Sequence, residues 1–93
     1  PAASTDLTAE YELGPQIQLT WMDNADNETG FRIERATDGI TFSPIITVGL
    51  WTGTGSVSFI DTAVITGTFT YRVAALNNAG LSAFSNTAEA TVP

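Results

Sequence analysis

The 93-residue sequence contains no cysteine and no histidine. Without thiols no disulfide staples the fold, and no thiolate can serve as nucleophile or metal ligand. Without imidazole, Ser-His-Asp and Cys-His catalysis are excluded, together with nearly every zinc site, and no side chain titrates naturally near neutrality. Lysine is absent too: the three basic residues are Arg32, Arg35 and Arg72, set against ten acids for a net charge of -7. A surface of that sign repels phosphate backbones and anionic membranes, so nucleic acid is excluded as a partner. No apolar run reaches the roughly 20 residues of a membrane helix, and nothing resembles a signal peptide, so membrane insertion is not expected.

What is present is a foldable chain, 43% hydrophobic and 14% charged, of a length suited to one small domain. Pro1 to Thr5 are small and polar and read as a linker remnant, and a start at Pro1 rather than Met suggests a segment of a longer polypeptide. From residue 6 onward, alternation of period two recurs and helical spacing does not. Leu7, Ala9, Tyr11 and Leu13 share one parity, and Ile17, Leu19 and Trp21 another, with Gly14-Pro15 as the turn between two hairpin strands. Phe31 and Ile33 point one way while Arg32 and Glu34 point the other. Asp38-Gly39 marks a turn into a weaker strand at Ile45 to Val48, and Ser56 to Ile60 follows. Phe69, Tyr71, Val73 and Ala75 form the clearest strand, and Ala88, Ala90 and Val92 the last. Seven short β segments without a helix predict an antiparallel sandwich.

Several of these residues carry a resemblance. Leu7, Trp21, Phe31 with Ile33, Tyr71-Arg72-Val73-Ala74-Ala75 and Asn77-Asn78-Ala79-Gly80-Leu81-Ser82 together resemble a fibronectin type III domain over residues 6–93. The stretch from Trp21 to Arg35, with Asp23-Asn24-Ala25-Asp26-Asn27-Glu28-Thr29-Gly30, is similar to bacterial members, which often sit in secreted multidomain enzymes and surface proteins. The resemblance implies a seven-stranded immunoglobulin-like sandwich with strands A, B and E on one sheet and C, C′, F and G on the other. It further implies a core of Trp21, Phe31, Ile33, Tyr71 and Val73, an inward leucine-like residue at Ile65, and a Tyr71 hydroxyl bonded to upstream backbone. Between F and G, where an integrin-binding relative carries Arg-Gly-Asp, this chain has Asn77-Asn78-Ala79-Gly80, so adhesion by that route is not expected.

Three groups of residues could carry chemistry. Asp23, Asp26 and Glu28 offer hard oxygen ligands, but their spacing fits no EF-hand and Asx-turns use the same residues, so solvated loop acids without metal are expected. Trp51, in a glycine-rich loop, could stack on a sugar ring or fold over the sandwich end. Arg32, Glu34 and Arg72 are expected on the outer face of the C-F-G sheet, with Glu34 opposite Arg72 as an exposed ion pair and no aromatic neighbour. A filled sandwich has no cleft to raise a carboxyl pKa, so neither catalysis nor a cofactor is expected. Asn27-Glu28-Thr29 is a formal glycosylation sequon, read as accidental. The expectation is therefore a monomeric, extracellular or cell-surface spacer or accessory module that contacts flanking domains. A binding module for polysaccharide or a protein is the alternative.

Overall fold

Alternation in the sequence becomes burial in three dimensions. The computed structural model describes residues 1–49 and 55–93, and within them the inward parity of each strand meets that of the opposite sheet. One sheet has the order β1 (Thr5–Glu12), β2 (Gln16–Asp23), β5 (Gly55–Asp61). The other runs β4 (Ser43–Val48), β3 (Gly30–Ala36), β6 (Gly67–Asn77), with the short β7 (Gly80–Leu81) and β8 (Ala88–Val92) both on the far edge of β6. Every pairing is antiparallel, and the strands correspond to A, B, E and to C, C′, F, G.

Trp21 fills the centre, its ring edge-on to Phe31 with centroids 5.5 Å apart. Ile17, Leu19, Ile33, Val57, Tyr71 and Val73 close around it, all of them buried. This packing explains why the sheets stay in register, because a one-residue slip would turn each inner face outward.

Two expectations on burial are corrected. Leu13 is 88% exposed, because the chain has already left β1 for the turn. Ile65 is exposed as well, and Val64 supplies the buried aliphatic before β6, so the inward residue lies seven rather than six positions ahead of Tyr71.

The last strand is also less regular than its alternation implied. Between β7 and β8, Ser82 and Ser85 donate their N–H groups to the Ala75 and Val73 carbonyls at 2.8 Å. Their hydroxyls accept from the Ala75 and Val73 N–H groups at 2.9 and 3.0 Å. Serine oxygens thus replace ladder carbonyls, and Phe84 is thrown out over the sheet. Asn86 then binds both the N–H and the carbonyl of Leu7 at 2.9 Å, tying the β1 edge to the opposite sheet.

The two ends of the sandwich follow from the register. Asp23 leaves β2 at the end where Gly30 enters β3 opposite Leu76. Gly67, at the start of β6, pairs with Val92 at the other end. Thr5 pairs with Met22, so the chain enters at the β2–β3 end and leaves at the opposite one. The long dimension between them is 38 Å.

Candidate functional site

At the β2–β3 end, the loop acids are not all solvated. Asp26 is exposed, but Asp23 and Glu28 are 1% and 5% exposed, which overturns the expectation for those two. The cause is strand parity: Asp23 continues the inward series Ile17, Leu19, Trp21, and residues 24–29 fold back over it. Its Oδ1 accepts the Ala25 N–H at 2.9 Å in an Asx-turn that buries Ala25. Asp23 Oδ2 and both Glu28 carboxylate oxygens are covered and meet no hydrogen-bond donor among the described residues. Burial pushes the Glu28 carboxyl above its ordinary value, reinforced by Asp23 within hydrogen-bonding reach and by the charge of Asp26, while its own backbone opposes the rise. The expectation that no carboxyl here could be raised is therefore corrected. Among the described residues no group of three acids, histidines or cysteines is arranged to hold a metal.

On the outer face of the second sheet, Glu34 stands opposite Arg72, as expected. Arg72 Nε and Nη2 both donate to Glu34 Oε1, at 2.8 and 2.7 Å, and Arg32 Nε lies 2.9 Å from Oε2. The pair is not the exposed contact predicted, because Glu34 is 4% exposed and Arg72 is stacked between two aromatic rings. Its guanidinium carbon lies 4.2 Å from the Phe42 centroid and 4.0 Å from that of Phe84. Neither ring comes from a strand. Phe42 precedes β4 and Phe84 sits in the Ser82–Ser85 bulge, which is why strand parity missed them.

At the opposite end, Tyr71 does not bond upstream backbone as the resemblance implied. Its hydroxyl donates to Asp61 Oδ2 at 2.7 Å. Arg35 Nη1 reaches the same oxygen at 2.8 Å and the Ala63 carbonyl at 3.0 Å, and the Ala63 N–H donates to Asp61 Oδ1. Burial, and then the Asp61 carboxylate, push the Tyr71 phenol far above its ordinary value, so it remains a donor in the folded state. A groove of about 340 Å³ opens beside this cluster between the edge strands β4 and β5, with Ile45, Ile46, Phe59 and Ile60 on its walls. Trp51 lies outside the described residues, and no geometry bears on the sugar-stacking reading.

Two antiparallel sheets joined in this order define an immunoglobulin-like β-sandwich. Comparison with solved structures narrows the class: the fold is that of a fibronectin type III domain. The chain is similar over its whole length to an Fn3-like protein from Clostridium thermocellum, at 28% identity and a TM-score of 0.78, covering 94% of that chain. It also matches part of a β-1,2-glucanase from Parabacteroides distasonis at 26% identity and a TM-score of 0.76, with 98% of this chain aligned to 12% of that one. The pectate lyase Pel3 from Pectobacterium carotovorum shares the fold alone, at 18% identity and a TM-score of 0.78, with 98% of this chain spanning 27% of its length. No family model and no curated protein sequence matches the chain.

Proposed function

We propose that this domain is a non-catalytic spacer or accessory module of an extracellular multidomain protein. The observation that carries the reading is that similar folds form a minor part of larger chains, 12% of a glucanase and 27% of a pectate lyase. The polar clusters support it. Arg35 and Tyr71 are engaged on Asp61, and Arg32 and Arg72 on Glu34, so these groups brace the sheets. With entry and exit at opposite ends of a 38 Å body, the domain holds its neighbours apart by a fixed length. A surface of net charge -7 keeps it soluble and monomeric between them.

The alternative, a binding module for polysaccharide or a protein, has one observation in its favour, the groove between the β4 and β5 edges with Ile46 and Ile60 partly exposed. Co-sedimentation of the isolated domain with insoluble polysaccharides tests the two readings against each other. A spacer stays in the supernatant. Retention that is lost in Trp51→Ala or Ile60→Ser replaces the spacer reading with the binding one.

A further inference from the structure

Two buried carboxylates within reach of each other require a compensating positive charge, since like charges brought out of water disfavour joint ionisation. The chain's side chains cannot supply it. There is no lysine or histidine, and all three arginines are engaged elsewhere, Arg35 on Asp61 and Arg32 and Arg72 on Glu34. Ser4, which precedes the Thr5–Met22 pair, is covered too, and its hydroxyl meets no partner among the described residues. The site therefore holds acceptors that meet no donor among the described residues, Asp23 Oδ2 and both Glu28 oxygens. A single proton converts one Glu28 oxygen into a donor to Asp23 Oδ2 and removes one of the two buried charges. We propose that Glu28 keeps a proton beside the Asp23 carboxylate and forms with it a pH-sensitive latch that holds loop 24–29 on the sandwich end.

The latch has defined moving parts. Loop 24–29 is tied to the end of β6 by the Thr29 N–H on the Leu76 carbonyl at 2.7 Å and by Asn77 Nδ2 on the Asn27 carbonyl at 3.2 Å. It is tied inward by the Asx-turn of Asp23. The titratable groups acting on Glu28 are Asp23 and the exposed Asp26, both acidic, whereas the segment before β1 offers Ser4 and β6 offers Asn77, both neutral. A carboxyl raised in the folded state stabilises fully below its unfolded value, and that contribution is lost as pH rises through the folded value. Ionisation of Glu28 therefore strains the cap, and the domain weakens toward alkaline pH.

Carboxyl-carbon NMR titration of the 93-residue domain, with melting curves at about pH 5 and about pH 8, tests this proposal. We expect Glu28 to titrate above an ordinary glutamate and the wild type to melt lower at the higher pH. Glu28→Gln should lose that difference, because an amide supplies the donor at every pH. An ordinary Glu28 titration in the unmodified chain, or a Glu28→Gln variant that keeps the wild-type pH slope, overturns the latch. So does a melting temperature raised by millimolar calcium in the wild type alone, which would make the pair a cation site. Should Glu28→Gln fail to fold, the NMR titration of the unmodified domain still decides.

Discussion

Both ends of the sandwich bury acids, but they do so on opposite terms. At the β5–β6 end, Asp61 is 4% exposed and receives an arginine, a phenol and a backbone N–H. At the β2–β3 end, Asp23 and Glu28 are covered as well, and among the described residues only the Asp23 carboxylate meets a donor, the Ala25 N–H on Oδ1. The difference teaches how a chain with three cations distributes them: all three stand on β3 and β6, with Arg32 and Arg72 on Glu34 of the same sheet and Arg35 reaching across to Asp61 of β5, and the loop acids receive none of them. Breaking a paired acid leaves partners stranded, whereas neutralising an unpaired one removes a cost. The two ends should therefore respond to charge removal with opposite signs.

The largest effect belongs to the core that both ends share. Trp21→Ala should cost about 3–5 kcal/mol in a two-state denaturation, a large share of what so small a domain has. A loss under about 1 kcal/mol would mean that the inner faces are wrongly assigned. Next comes Asp61→Ala, which strands the Arg35 guanidinium and the Tyr71 hydroxyl together. About 3 kcal/mol is expected, discounted from a fully buried pair because Arg35 reaches solvent. If Asp61→Ala were as harmless as Glu28→Gln at alkaline pH, the contrast between the ends would fail.

A third variant separates sterics from charge at the loop end. A Cβ on Gly30 would clash with the Val48 carbonyl oxygen, a backbone atom that cannot rotate away. Gly30→Ala should cost about 2 kcal/mol, with equal loss at acid and alkaline pH. A pH-dependent loss would show that the backbone contact and the acid pair are coupled, and would blur the comparison.

Much of the architecture was legible because period-two alternation reports burial directly. Ile17, Leu19 and Trp21, or Phe69, Tyr71 and Val73, need only one partner face to become a core. The same rule extended one step further would have found Asp23, since it continues the parity of Trp21; reading it as a loop residue hid a buried acid. The Glu34–Arg72 pair followed from register, yet its aromatic cover did not, because Phe42 and Phe84 belong to irregular segments whose direction no periodicity sets. Glu28 was illegible for the same reason: whether a loop side chain is covered depends on how the loop closes. The carboxylate partner of Tyr71 required a contact between β5 and β6, ten residues apart in sequence and on different sheets.

The smallest expected effect sharpens the comparison most. Tyr71→Phe removes a single hydroxyl from the β5–β6 cluster and keeps the buried ring. Asp61 still accepts from Arg35 and from the Ala63 N–H, so no charge is stranded and about 1 kcal/mol is expected. Because burial and Asp61 hold the phenol protonated, that loss should stay constant across the whole range in which Glu28 titrates. A double-mutant cycle between Tyr71→Phe and Asp61→Ala should recover nearly the whole hydroxyl contribution as coupling, since the carboxylate is its acceptor. Tyr71→Phe combined with Glu28→Gln should be additive, as the two sites share no partner and stand at opposite ends. Coupling in the second cycle, or its absence in the first, would show that the polar groups at the two ends do not act independently.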